Sequence, residues 1–149
     1  GKNTVLIGSD VSSMHIRRLE AGILDYGTDI DQTLNPYEIG LERLVHFNKS
    51  DFIGREALME TNHKTKRLMG IVCAEESLAR GDKLLDSDKE IGFVSAGAWS
   101  PTLEKGIGLI RLNESRPENY KLKVVTGSGS FDAKVVEPPF FDKEKFLTK

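Results

Sequence analysis

Short runs of β-prone residues, separated by clusters of Gly, Asp, Asn and Ser, fill the second half of the chain and constrain its fold more than any other feature. This pattern is typical of a small all-β barrel or sandwich. The 149 residues suffice for one ordinary domain, or for one small domain and part of another. The predicted strands are Leu68 to Ala74, Lys83 to Leu85, Glu90 to Ala98, Gly106 to Leu112, Tyr120 to Val125 and Phe131 to Val136.

Two segments between these strands resemble ligand-binding loops but are better explained as turns. Gly127 to Ser130 has the glycines of a phosphate loop, yet no Lys-Ser/Thr follows and the segment leads into a strand, so we predict a hairpin turn. Asp86 to Asp88 has too few acids at the right spacing for a calcium loop, and we predict a tight turn there as well.

The beginning of the chain has a helical pattern instead. Ile16, Leu19 and Ile23 form an apolar stripe, and Gly22 is a plausible helix stop. Candidate N-caps for this helix are Ser9, Asp10, Ser12 and Ser13.

The segments that follow are shorter and mixed. Asn35 to Glu38 combines a capping side chain, a proline and an acid in the order of a helix start, which predicts a brief helix or turn. Leu41 to Phe47 alternates imperfectly and is a possible strand, whereas Gly54 to Met59 is expected to be a helix capped by Ser50 or Asp51. The basic stretch Lys64 to Arg67 is predicted to be a solvated connector.

Composition narrows the class of protein. A net charge of -2, from 21 basic and 23 acidic residues, provides no electrostatic case for nucleic acid as a partner. No apolar run approaches the roughly 20 residues that cross a bilayer, so we expect no membrane span and a cytoplasmic location. Glycine patterns typical of dinucleotide or ATP binding are absent.

Cysteine and histidine give little support for a metal centre or a nucleophile. The single cysteine, Cys73, lies in an apolar run and is expected to be a buried thiol. His15, His46 and His63 are far apart in sequence and have no second cysteine beside them, so no metal site is predicted.

Glu20 is the most informative polar residue. On a helix it shares a face with Ile16 and Ile23, which places its carboxylate beside apolar packing. A carboxylate can accept two parallel hydrogen bonds from a planar ring edge that carries an N–H and an amino group, and a pterin has such an edge. The alternative is a structural ion pair of Glu20 with Arg17, Lys49 or Arg55.

Five blocks in order resemble the aminomethyltransferase family, the T-protein of the glycine cleavage system, and cover nearly the whole chain from about residue 14. Asn35 to Leu41 looks like the family's Pro-x-Glu-x-Gly-Leu segment, and Ile91 to Leu103 looks like its Ile-Gly-x-Val-Thr-Ser-Gly-x-x-Ser-Pro-x-Leu segment. The other blocks are Arg17 to Asp31, Lys49 to Leu58 and Val135 to Phe141.

This resemblance implies an α+β chain in which the end of a ferredoxin-like-type, folate-binding α+β domain, residues 1–66, precedes a small C-terminal β-barrel domain, residues 67–149. It implies tetrahydrofolate as the cofactor and transfer of a one-carbon group from a donor nitrogen or sulfur. The donor is expected to be a small molecule or to be carried by a lipoyl protein. The family's catalytic aspartate lies upstream of every matched block, so no catalytic residue is assigned and this chain alone is expected to be incomplete as a catalyst.

The resemblance also suggests cofactor-binding residues. It implies that Glu20 grips the edge of the pterin or substrate and that Lys49, near a position that is often basic in the family, meets a carboxylate of the ligand. Because lysine is a point charge, Lys49 cannot form the bidentate clamp that an arginine makes. Tyr26 and Trp99 are candidates for stacking on a planar ring.

Three other functions stay open. Asn35 to Val45 is also similar to the dimethylsulfoniopropionate demethylase branch of the family, and the dimethylglycine- and sarcosine-oxidising branch is a further possibility. A non-catalytic folate-binding or interaction module of the same fold is the alternative from a different class.

Overall fold

A closed, antiparallel six-stranded barrel dominates the computed structural model, which describes residues 11–61 and 67–144. The helical elements are α1 (Val11–Glu20), a 3-10 turn (Glu42–Leu44) and α2 (Arg55–Glu60). The strands are β1 (Leu68–Cys73), β2 (Lys83–Asp86), β3 (Lys89–Ser100), β4 (Lys105–Leu112), β5 (Lys121–Thr126) and β6 (Gly129–Val136). None of the described helices is long and apolar enough to cross a membrane.

The strands follow the order β1-β4-β3-β2-β5-β6, and β6 pairs with β1 to close the barrel. All six sequence-predicted strands are confirmed, with ends that differ by at most two residues. The hairpin turn predicted for Gly127 to Ser130 joins β5 to β6, and the turn predicted at Asp86 to Asp88 joins β2 to β3.

Two apolar clusters hold the fold together. The larger fills the barrel interior and includes Ile71, Val94 and Ile110, together with Cys73, whose thiol is buried as predicted. The smaller lies outside the barrel, where Leu19 of α1 packs over Ala96, Ile107 and Leu109. β4 is therefore buried on both of its faces, which explains its nearly continuous apolar sequence.

A β-bulge in β3 connects these two layers. Val94 pairs with Ile110 and Ala96 pairs with Leu109, so Ser95 is the extra residue between them. A bulge re-aims the side chain that it carries. Here the bulge coincides with a fully buried Ser95 whose hydroxyl donates to Asp29, in the segment after α1.

The end of α1 is set by Gly22, as predicted. The Ile23 amide donates to the Arg18 carbonyl and the Gly22 amide donates to the Leu19 carbonyl, which together form a Schellman motif. Gly22 has a φ of +65°, and a Cβ added there would lie 2.9 Å from the Pro138 Cβ.

Several predictions for the first half were wrong. Ile23 lies beyond the end of α1 and is 58% exposed, so it does not belong to the apolar stripe. Ser12 and Ser13 lie inside the helix, whereas the cap candidates Ser9 and Asp10 lie outside the described residues. The stop at Gly22 was predicted correctly, but Ile23, which follows that stop, does not continue the helical stripe.

The later segments also differ from expectation. Leu41 to Phe47 contains a 3-10 turn and no strand, and the N-cap of α2 is Gly54 in a left-handed conformation, not Ser50 or Asp51. The turn predicted at Asn35 to Glu38 is confirmed, with reciprocal capping bonds between these two residues. Residues 64–66 of the predicted connector lie outside the described residues.

Arg67, the last residue of that connector, was predicted to be solvated, and this prediction was wrong. It is half-buried, and its Nε donates to the Leu112 carbonyl at 2.9 Å. A guanidinium also reaches the Glu38 carboxylate at 3.3 Å. Arg67 therefore ties the start of β1 to the end of β4 and to the turn at Glu38.

We expect Gly22→Ala to lower the free energy of unfolding by about 1–3 kcal/mol. The alanine would have to adopt a left-handed φ, and its methyl group would lie too close to Pro138. Chemical denaturation measures this change. Gly127→Ala is the matched control, since nothing lies within 4 Å of a Cβ added at Gly127. Equal stability of the two variants would contradict the proposed role of Gly22.

Candidate functional site

Asp29 is a fully buried carboxylate that joins the segment after α1 to the barrel. Its Oδ2 accepts hydrogen bonds from Arg18 Nη1 at 2.7 Å and from the Asp25 amide at 3.0 Å. Its Oδ1 accepts a hydrogen bond from the Ser95 hydroxyl at 2.7 Å. The buried carboxylate is thus both ion-paired and hydrogen-bonded, which offsets the cost of removing it from water.

A polar cleft of about 270 Å³ opens beside this network. Arg80 lies at the cleft, is exposed, and makes no hydrogen bond or ion pair with a described residue. His15 Nε2 lies 3.3 Å from the Gly97 carbonyl, a contact that requires a proton on that nitrogen. The lining residues are His15, Arg18, Asp25, Thr28, Arg80, Ser95, Ala96 and Gly97. The unpaired Arg80 makes this cleft suited to an anionic group.

Glu20, the last residue of α1, is half-buried and held in place by its surroundings. Its Oε1 accepts a hydrogen bond of 2.5 Å from the hydroxyl of the buried Ser100. Its main-chain carbonyl accepts the amides of Phe140 and Phe141, both at 3.0 Å. Among the described residues, Oε2 has no hydrogen-bond partner.

The structural ion pair considered for Glu20 is not formed. Within the described part of the chain, no lysine or arginine lies within 4.0 Å of its carboxylate. Arg55 instead lies over the Phe47 ring, at 5.9 Å from its centroid. The Glu20 carboxylate therefore has spare capacity to accept hydrogen bonds.

The other sequence-predicted site residues are dispersed. Trp99 lies in β3 next to Ser100 and is 40% exposed. Tyr26 lies in the loop after α1 and is 73% exposed, and Lys49 is exposed in the segment before α2. Among residues 11–61 and 67–144, no hydrogen bond or ion pair joins any of these three to Glu20.

Glu20 and the polar cleft lie on different sides of α1. Arg18, which lines the cleft, is two positions before Glu20, and such residues are about 200° apart around a helix. Sequence reasoning missed the cleft. Asp29 lies in a polar turn whose sequence gives no indication that its side chain is buried. Arg80 lies in the loop after Leu78, and no local sequence pattern reveals that this loop lies against β3.

Asp31 anchors the same loop to β4. Its carboxylate accepts hydrogen bonds from the Thr33 hydroxyl and from Arg111 Nη1, the latter at 2.7 Å. These hydrogen bonds lower the pKa of Asp31 from 3.8 to about 2, and the bond from the Thr33 hydroxyl has the largest effect. Arg111 also lies over the Phe93 ring, at 5.8 Å from its centroid.

A closed antiparallel barrel with a helical segment packed on its outer face defines the class of this protein. Comparison with known families identifies it further, because residues 66–142, just over half of the chain, match the model of the glycine cleavage T-protein C-terminal barrel domain. The chain belongs to the glycine cleavage T-protein family, as its sequence blocks predicted.

Curated relatives agree with this assignment. The chain is 39% identical over 126 residues to an aminomethyltransferase of Thermotoga neapolitana, covering 83% of the chain and 34% of the relative. It is 33% identical over 142 residues to an aminomethyltransferase of Thermosipho melanesiensis, covering 93% and 39%. The chain thus spans between a third and two fifths of the length of these relatives.

A solved structure supports the fold. The chain is similar to the glycine cleavage system aminomethyltransferase T from Bartonella henselae, with a TM-score of 0.79 and 22% sequence identity. The similarity covers 89% of this chain and 39% of that one.

Arg18→Ala should lower the free energy of unfolding by about 3 kcal/mol, because it leaves the buried Asp29 carboxylate without its cation. Urea denaturation measures this loss. In the matched control, Lys83→Ala, the broken ion pair with Glu90 is exposed on both sides, so the expected loss is below about 1 kcal/mol. Similar losses in both variants would show that burial adds nothing to the Arg18 pair.

The lowered pKa of Asp31 predicts a pH-dependent stability. A carboxyl group with a folded pKa of about 2 and an unfolded value near 3.8 stabilises the fold above about pH 4, and this contribution disappears as the pH falls through 2. We therefore expect the melting temperatures of the native protein and Asp31→Asn to differ by a constant amount from pH 7 to about pH 5, and to converge towards pH 2. A difference that is independent of pH would contradict this account.

Proposed function

We propose that this chain is the folate-binding, C-terminal portion of a tetrahydrofolate-dependent aminomethyl or methyl transferase. The observation that carries the proposal is the Glu20 carboxylate, which is half-buried and fixed by Ser100 at 2.5 Å, and has an oxygen left without a described partner. Family membership and the names of the aminomethyltransferase relatives support the same reaction class.

The chemistry of Glu20 fits a pterin edge. An ionised carboxylate has about four acceptor positions, and the Ser100 hydroxyl occupies one of them. Both oxygens can therefore still accept a hydrogen bond from the N–H and amino groups of the ring. Because Ser100 already orients the carboxylate, binding would require little loss of side-chain entropy.

The other predicted residues have supporting roles in this proposal. Trp99, adjacent to Ser100, and Tyr26 offer exposed aromatic faces for stacking, and Lys49 offers a point charge for a carboxylate of the ligand. When bound, tetrahydrofolate supplies the N5 nucleophile that takes up the one-carbon group. The contribution of this chain is then to bind and orient the cofactor, while the donor, a small molecule or a group on a lipoyl protein, meets the rest of the polypeptide.

Binding of a stable reduced folate, such as 5-formyltetrahydrofolate, to the full-length protein tests the role of Glu20. Glu20→Gln should weaken binding by about tenfold or more, because charge-assisted hydrogen bonds worth roughly 1.5–3 kcal/mol are lost. Ser100→Ala should weaken it less, since the carboxylate remains but is no longer oriented. Isothermal titration calorimetry measures both effects.

Glu90→Gln is the control, because Glu90 is an exposed glutamate at the far end of β3. Unchanged affinity in Glu20→Gln would remove the pterin role. If Arg80→Met weakened binding instead, the folate would lie at the polar cleft on the other side of α1. Folate binding without transfer from any amine or sulfur donor would favour the non-catalytic module.

A further inference from the structure

A groove of about 570 Å³ lies on the barrel, along β1, β6, β5 and the end of β2. Four lysines line it, namely Lys105, Lys121, Lys123 and Lys134. All four are exposed, and none forms an ion pair within 4.0 Å with a described carboxylate. The groove thus concentrates unpaired positive charge on a chain whose net charge is -2.

The register of β5 and β6 places three of these charges, those of Lys121, Lys123 and Lys134, side by side. Lys121 of β5 is the direct cross-strand partner of Lys134 of β6, and Lys123 lies two positions further along the same face. Their neighbours Leu122 and Ala133 are buried in the barrel, so the lysines project outwards. Like charges directly opposite each other destabilise a sheet. An anionic partner seated on the groove would relieve this repulsion.

The groove is not purely cationic. Val72 and Leu85 contribute partly buried apolar side chains, and Ala74 adds an exposed methyl group. Asp132, opposite Lys123, and Asp86 add two carboxylates. An apolar floor with a charged rim is the usual composition of a protein interface.

We propose that this lysine groove docks an acidic segment of a protein partner that carries an apolar side chain between its carboxylates. Nucleic acid fits less well for two reasons. Asp86 and Asp132 would repel a continuous phosphate backbone, and no aromatic side chain lines the groove to stack on a base. A protein segment can place its carboxylates at the lysines and keep them away from these two acids.

Fluorescence anisotropy with the full-length protein tests the proposal. The probe is a labelled twelve-residue peptide of alternating Glu and Leu, and a labelled twelve-nucleotide oligothymidylate is the comparison. At about 20 mM salt we expect the peptide to bind more tightly than the oligonucleotide, and its affinity to fall as salt is raised to about 500 mM. Replacing Leu by Ser in the peptide should weaken binding as well.

Lys121→Gln/Lys134→Gln should weaken peptide binding by about fivefold or more. Lys83→Gln/Lys89→Gln removes the same charge from β2 and β3, outside the groove, and should leave binding unchanged. A second variant, Lys134→Glu, places opposite charges across the strand pair, so it should abolish binding without lowering the melting temperature.

Three results would overturn the proposal. They are no peptide binding, equal losses in the groove and control variants, or tighter binding of the oligonucleotide that the groove variant removes. The test requires no turnover and no folate, so its failure would leave the proposed transferase function untouched.

Discussion

The fold of the first segment onto the barrel depends on one buried carboxylate, that of Asp29. Three groups donate to it, and they come from α1, from the loop after α1 and from β3. A buried charge is costly unless it is fully satisfied, so these elements are held to a single relative arrangement. The same arrangement places Arg18 and Ser95 at the polar cleft.

The bulge at Ser95 makes this arrangement possible. Without the bulge, strict alternation would point the side chains of Val94 and Ala96 to the same face of β3. One of the two apolar clusters would then lose its residue from this strand. With it, Val94 fills the barrel while Ala96 packs beneath Leu19. The helix then ends at Glu20, whose carboxylate accepts a hydrogen bond from the Ser100 hydroxyl. The main-chain carbonyl of Glu20 accepts hydrogen bonds from the amides of Phe140 and Phe141.

The barrel could be predicted from sequence because each strand is bounded by turn residues and its pattern is local. The first half could not be predicted as well, since its structure comes from tertiary contacts. The burial of Asp29 depends on a hydroxyl that β3 supplies, and Ile23 leaves the helix because Gly22 ends it. Arg67 looked solvated within a basic run, yet β4 offers it a carbonyl.

In the candidate site, too, the sequence predicts what is local but not the tertiary contacts. The sequence indicated Glu20, and the fold holds its carboxylate with Ser100 from eighty residues away, a partner that helical periodicity does not reveal. Lys49 and Tyr26 remain predictions from family resemblance, since no hydrogen bond or ion pair in the described part of the chain links them to Glu20. The domain boundary at residue 67 also stays a prediction.

A crystal structure of the full-length protein bound to tetrahydrofolate would test most directly whether the Glu20 carboxylate binds the pterin. We expect the ring N–H and amino group of the pterin to lie about 2.7–3.0 Å from the Glu20 carboxylate oxygens, with the Ser100 bond retained. A pterin bound elsewhere, with Glu20 contacting only Ser100 and solvent, would contradict this expectation.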